Sequence, residues 1–102
     1  MKLNTPSQFT LEQNFPNPFN PETYIRFQLP ETVRVQLVVY NLTGRRIRTL
    51  VDCNKSRGSY TVLWDGKDEF DRYVASGIYI YRIKTFGNQK TLTMSKKMIM
   101  LK

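Results

Sequence analysis

Three prolines fall within one short stretch near the start of the chain, Pro16-Asn17-Pro18-Phe19-Asn20-Pro21. Each proline lacks a backbone N–H donor and fixes its own φ, so prolines at this spacing exclude both a helix interior and a central β-strand. The stretch therefore predicts an ordered, extended loop.

The composition favours one small, non-catalytic domain. A chain of 102 residues buries about 60–70% of the surface that its unfolded form exposes, which is enough for one core. The sequence has no histidine, and so lacks the usual general base near neutral pH and the commonest metal ligand. Its single cysteine, Cys53, excludes an internal disulfide and a multi-cysteine zinc site. We therefore expect no enzymatic activity, no cofactor and no metal.

The net charge of +8, from 16 basic and 8 acidic residues, permits an anionic partner. The basic residues are scattered along the sequence, with local concentrations only at residues 45–48 and at Lys96 and Lys97. Because no continuous basic face or recognition element is evident, we expect no nucleic acid partner. An anionic surface polysaccharide stays open as a partner.

Apolar residues recur with period two after the proline-rich stretch, which is the pattern of β-strands rather than helices. Gly44 predicts a hairpin turn, because glycine adopts positive φ at no steric cost, and residues 46–51 are expected to return as the partner strand. In the strand before this turn, alternate side chains are expected to face opposite sides of the sheet. Those expected to face the core are Val33, Val35, Leu37 and Val39, and those expected to face outward are Arg34, Gln36, Val38 and Tyr40.

Further strands are predicted beyond a loop at residues 52–58. A polar turn region follows Trp64, the expected core anchor, and residues 91–101 form the closing strand. The inward-facing sets are Tyr60, Val62 and Trp64 in one strand, and Tyr79, Tyr81 and Ile83 in another. Together these segments predict an all-β fold, an antiparallel β-sandwich of about seven strands.

Five segments carry distinctive patterns: residues 11–21 (LEQNFPNPFNP), 39–47 (VYNLTGRRI), 64–66 (WDG), 75–79 (ASGIY) and 96–102 (KKMIMLK). In these segments the chain resembles the C-terminal sorting domains of cargo of the type IX (Por) secretion system. That group is related to the immunoglobulin-like domain of flagellar hook-capping proteins. The resemblance spans about residues 11–102, and residues 1–10 are expected to be a linker or added residues.

The resemblance implies an immunoglobulin-like topology and a non-catalytic sorting and anchoring role. The partners would be the outer-membrane secretion apparatus and a cargo domain fused on the N-terminal side. The protein would be exported through the periplasm to the cell surface or the extracellular space. Since residues 1–20 lack the pattern of a secretory signal, the parent protein is expected to carry its signal upstream.

The resemblance also assigns candidate site residues. Those for sorting or recognition are Gly77, Tyr79, Lys96, Lys97, Met98, Ile99, Met100, Leu101 and Lys102, and the N-terminal motif is Pro16, Asn17, Pro18, Phe19, Asn20 and Pro21. From residue chemistry alone, Gly77 and Tyr79 serve a turn and the core. The basic residues of the last strand are either solvated or presented to an acceptor protein, with strand addition at an exposed edge as one mechanism. Export is expected to be lost in Lys97→Ala, or on removal of residues 98–102, while the protein stays soluble.

The proline-rich stretch is expected to cover an open edge or end of the sandwich, with Phe15 and Phe19 docking as apolar plugs. A recognition role for the stretch is the alternative. The pair Phe70-Asp71 stands where the family usually has an Asn-Gly turn, and Asp71 can adopt the left-handed conformation there at more cost than glycine.

Two other functions stay open. One is a structural accessory module of an extracellular protein, like the hook-capping domain. The other is a carbohydrate-binding module, for which Tyr24, Tyr40, Tyr60, Tyr73 and Trp64 are the candidate stacking residues. The acidic loop at residues 65–71 suggests calcium as a weaker alternative, although its spacing matches no known helix-loop-helix calcium site.

Overall fold

The strands of this chain follow its period-two pattern closely. A computed structural model describes residues 8–87 and 90–101, and in these ranges it contains seven strands. They are β1 (Thr10–Leu11), β2 (Thr23–Leu29), β3 (Val33–Asn41), β4 (Arg46–Lys55), β5 (Gly58–Trp64), β6 (Gly77–Phe86) and β7 (Thr91–Met100). Among the described residues no helix is long and apolar enough to cross a membrane.

The strands form two antiparallel sheets that pack face to face. One sheet has the order β1-β2-β5 and the other the order β4-β3-β6-β7. The predicted all-β, immunoglobulin-like sandwich is confirmed. Strands β4 and β7 are the two edges of the four-stranded sheet, so β7 has a full strand partner on one side only.

The core lies between the sheets and is built from alternate residues of each long strand. The inward set of β3 is buried as predicted, and so are Tyr79, Tyr81 and Ile83 of β6. Val38 was wrongly assigned to the solvent side, since only 3% of it is exposed. It lies opposite Arg82, whose guanidinium lies 4.9 Å from the centroid of the Tyr40 ring, and long side chains of this kind bury apolar neighbours on the outer face of a sheet.

The second correction concerns the predicted loop at residues 52–58. Residues 52–55 belong to β4, where Asp52 pairs with Gln36 and Cys53 pairs with Val35. Their polar side chains suggested a loop, but on an edge strand the pairing requires only backbone groups, and the side chains can stay in water. Cys53 therefore lies on an exposed strand rather than in a loop.

Candidate functional site

Three of the five segments singled out in the sequence meet at one end of the sandwich, around Trp64. This indole is fully buried, with Phe19 on one side and Tyr79 on the other, at ring-centroid distances of 5.6 and 5.5 Å. Its Nε1–H donates a hydrogen bond of 2.9 Å to the carbonyl of Lys67. The Asn-Pro loop, the Trp-Asp-Gly turn and the Gly-x-Tyr element thus share one aromatic cluster. Because it is buried, this cluster supports the fold rather than contacting a ligand directly.

The Asn-Pro loop, residues 16–21, also pairs with the end of β7. Phe19 forms a parallel bridge with Met100: its N–H donates to the carbonyl of Ile99 at 2.9 Å, and its carbonyl accepts from Leu101 N–H at 2.8 Å. The side chain of Asn17 accepts the Ile99 N–H at 2.9 Å. The loop therefore covers the C-terminal end of the edge of β7, as predicted for an edge-protecting segment.

Both Phe15 and Phe19 were predicted to dock as apolar plugs; the prediction is confirmed for Phe19 and wrong for Phe15. Phe19 is 2% exposed and Phe15 is 76% exposed. The backbone of Phe15 forms two hydrogen bonds of 2.9 Å with Tyr24, and paired residues point to the same side of a sheet. Because Thr23 and Ile25 point inward from β2, Tyr24 and its partner Phe15 point to solvent. The peptide bonds before Pro16, Pro18 and Pro21 are cis.

Gly66 of the Trp-Asp-Gly turn lies where the loop and the last strand meet. Its φ is +79°, and a Cβ at this position would contact Met100 Cε and lie 2.8 Å from the carbonyl oxygen of Pro21. Real Cβ atoms do not approach backbone this closely, so the position accepts only glycine without a shift of its neighbours. The Asn-Pro loop, the Trp-Asp-Gly turn and the end of β7 can therefore pack this closely only because residue 66 has no side chain.

Asn14, a buried polar residue that the sequence analysis did not single out, is held by hydrogen bonds just before the Asn-Pro loop. The N–H of Asn14 donates to the Tyr81 hydroxyl at 2.8 Å, and that hydroxyl donates to the carbonyl of Glu12 at 2.7 Å. The Asn14 amide group donates to Thr23 Oγ1 at 2.9 Å. Burial raises the pKa of Tyr81 to about 12, so the phenol keeps its proton and both hydrogen bonds at any physiological pH. In the sequence, the one indication that Asn14 matters was its position within the 11–21 segment.

The predicted C-terminal recognition residues divide into two groups. Met98 and Met100 are fully buried core residues, as Tyr79 nearly is, so they hold the strand rather than present a surface. Lys97, Ile99 and Leu101 are exposed, and Lys96 is partly exposed. Gly77 has a φ of +148° and begins β6 opposite Met100. Lys102 lies outside the described residues.

In the acidic loop, carboxylates serve the turn itself. Asp68 Oδ1 accepts the backbone N–H groups of Arg72 at 3.1 Å and Phe70 at 2.9 Å, and these bonds, Arg72 first, lower the pKa of Asp68. Asp71 has the expected positive φ, +63°. Among residues 8–87 and 90–101, no group of three His, Cys, Asp or Glu side chains is arranged to hold a metal ion.

The aromatic residues considered for carbohydrate binding do not form one platform. Trp64 is in the core, and Tyr60 stacks on Phe27 at 5.4 Å. Tyr24 belongs to the three-stranded sheet and Tyr40 to the four-stranded sheet. Their outward faces point in opposite directions, so a single sugar chain would not contact both.

A model of the FlgD Ig-like domain family matches residues 14–89, more than half of the chain. The chain belongs to this family. The match confirms the resemblance to the hook-capping immunoglobulin-like domain. In this FlgD Ig-like domain the matched region contains the Asn-Pro loop and the aromatic cluster, and β7 lies beyond it.

Solved structures share the fold of this FlgD Ig-like domain at low sequence identity. Dimeric latent PorU from Porphyromonas gingivalis aligns over 97% of the chain, with a TM-score of 0.75 and 19% identity. FlgD from P. aeruginosa aligns over 76%, with a TM-score of 0.63 and 23% identity. PorZ, an essential surface component of the type IX secretion system of P. gingivalis, aligns over 92%, with a TM-score of 0.56 and 15% identity.

The chain spans only 10% of PorU, 61% of FlgD and 11% of PorZ. At these identities the similarity shows the fold alone. A comparison with curated proteins gave no significant match.

Proposed function

We propose that this FlgD Ig-like domain is a non-catalytic sorting and anchoring domain, which directs a larger protein across the outer membrane by type IX secretion. The observation that best supports this proposal is the set of hydrogen bonds that join Asn17 and Phe19 to Ile99 and Leu101. It unites the two segments on which the resemblance to sorting domains chiefly depends. The shared fold of PorZ, itself a type IX component, supports the proposal.

The surface offered to the secretion apparatus is formed by exposed residues from both segments. We call it the composite surface, and it consists of Asn17, Pro18, Lys97, Ile99 and Leu101, all of which are exposed. The buried neighbours in the chain fix its shape. Lys97 is further held in place because its carbonyl accepts a hydrogen bond of 2.7 Å from the Gln13 side chain.

The test is export of a reporter fused ahead of residues 1–102, in a bacterium with an active type IX system. Lys97→Ala removes one exposed charge and leaves every backbone bond of β7 in place. Arg26→Ala is the matched control, since it removes an exposed charge from a strand of the other sheet. We expect the Lys97 variant to stay in the periplasm, folded and intact, and the Arg26 variant to be exported like the unchanged domain.

Deleting residues 98–102 is a weaker test than the sequence suggested. The deletion removes Met98 and Met100, two fully buried core side chains, at a cost of about 2–5 kcal/mol for each large apolar residue lost. Loss of export would then report unfolding as readily as loss of recognition. Normal export of a folded Lys97→Ala fusion together with a folded Leu101→Ser fusion would contradict the proposal.

A structural module of a larger extracellular protein is the second candidate, and membership of the FlgD Ig-like family favours it. This role predicts a stable, folded domain that confers no export on a reporter. Retention of the unchanged fusion in the periplasm would support it over sorting.

A further inference from the structure

Next to the composite surface, the outer edge of β7 carries backbone groups that pair with no other strand of the described residues. Strand β7 pairs with β6 without a register shift from Thr91 to Met100, so alternate residues turn their N–H and C=O groups away from β6. The bonds made by Lys97, Ile99 and Leu101 to the N-terminal segment identify the outward set as the odd-numbered residues. Thr93 and Ser95 therefore also direct their backbone groups outward.

The occupied and open parts of this edge meet at Lys97. The Lys97 carbonyl accepts a hydrogen bond from the Gln13 side chain, whereas the Lys97 N–H faces away from β6 on the open part of the edge. Within residues 8–87 and 90–101, no backbone segment pairs with the outward groups of Thr93 and Ser95. The side chains of residues 91–95 are exposed on both faces. The open stretch thus has room for a further strand of about seven residues, at roughly 3.3 Å per residue.

The charged side chains of the strands next to the open edge are all basic. Strands β3, β6 and β7 contain no aspartate or glutamate. On the outer face Lys84 lies opposite Thr93, and Arg82 lies opposite Ser95, with Lys97 next along β7. A strand added here would lie next to Lys97 on β7 and one strand away from Lys84 on β6, whereas the Arg82 guanidinium lies over the ring of Tyr40 on β3. Acidic side chains at alternate positions fit this spacing.

We propose that the open edge of β7, residues 91–97, binds an extended acidic segment of another protein by strand addition. The backbone groups of Thr93, Ser95 and Lys97 supply the hydrogen bonds, and the charges of Lys97 and Lys84 favour acidic side chains. A second copy of this chain fits poorly, because its β7 would bring the same cations against these, in a protein of net charge +8. The inference builds on the proposed function, which supplies the setting in which such a partner is met.

Binding is measured on the purified protein by fluorescence anisotropy, with a labelled peptide of alternating glutamate and valine as the probe. Thr93→Pro removes an outward N–H and leaves the β6 pairing intact, since proline is tolerated on a free edge. Thr93→Ala, which keeps the N–H, is the matched control. We expect Thr93→Pro to weaken binding by about tenfold, as for one lost hydrogen bond, and Thr93→Ala to leave it unchanged.

Two altered probes test the same idea without changing the protein. A peptide with lysine in place of glutamate, and one methylated at alternate backbone amides, are both expected to bind about tenfold more weakly or worse. Equal binding of the methylated peptide, or of Thr93→Pro, would overturn strand addition. Equal binding of the lysine peptide would overturn the acidic preference, and absence of saturable binding to the glutamate probe would overturn the site. None of these outcomes depends on the export assay.

Discussion

Replacing Gly66 by alanine tests whether the meeting point of the three segments is as tight as the structure indicates. Two costs are expected. The first is conformational, since a side chain at a φ of +79° costs about 1–2 kcal/mol. The second is steric, since the new Cβ lies 2.8 Å from the Pro21 carbonyl oxygen and also contacts Met100. Overpacking of this kind costs about 1–3 kcal/mol.

Gly44 provides the matched control. Its φ is +87°, and a Cβ there would meet nothing within 4 Å. Gly44→Ala therefore carries the conformational cost without the steric one. We expect a loss of about 1–2 kcal/mol in the free energy of unfolding for Gly44→Ala and about 2–5 kcal/mol for Gly66→Ala.

Urea unfolding followed by tryptophan fluorescence reports both losses, because Trp64 is the one tryptophan of the sequence and is fully buried in the folded domain. In thermal unfolding each kcal/mol corresponds to about 4–8 °C in Tm for a domain of this size. Equal losses for the two variants would refute the close packing of Gly66 against the loop and the last strand. A smaller loss at Gly66 than at Gly44 would refute it more strongly.

Three further predictions concern the buried phenol and the acidic turn. Tyr81→Phe leaves the Asn14 N–H and the Glu12 carbonyl without their partner, so we expect a loss of about 1–3 kcal/mol in urea unfolding and faster hydrogen exchange at Asn14. Because the pKa of Asp68 is lowered from 3.8 by folding, its contribution is present above the unfolded value and is lost as the pH falls through the folded value. Asp68→Asn should therefore flatten the acid limb of Tm against pH, and an unchanged limb would contradict this. At Asp71, with its positive φ, valine should cost about 1–2 kcal/mol and glycine nothing; equal unfolding midpoints for the two variants would argue against the strain.

The parts of the fold that the sequence predicted are those where burial repeats with a fixed period. Residues Val33 to Leu37 and Tyr79 to Ile83 alternate because one face of each strand meets the core, and this alternation is visible residue by residue. Phe15 could not be placed in this way, since hydrophobicity alone does not say which way a loop side chain points. The far end of β4 was missed because an edge strand needs no apolar side chains there.

The site was predicted only in its components. The two segments that form the composite surface were both recognised by their residues, but their contact was not predicted. The bond between Asn17 and Ile99 joins residues 82 positions apart, through a side chain that occupies the place of a strand partner. No local pattern encodes such a pairing. It follows from where the chain enters and leaves the sandwich, which only the assembled fold determines.

That long separation in sequence also determines when the composite surface exists. Closing a chain segment of this length costs conformational entropy, and contacts between distant residues form only when most of the structure is in place. A partly folded chain contains both segments but does not bring them together. A receptor that binds the joined segments would therefore bind folded domains and not partly folded ones, so that recognition would also report whether the domain has folded.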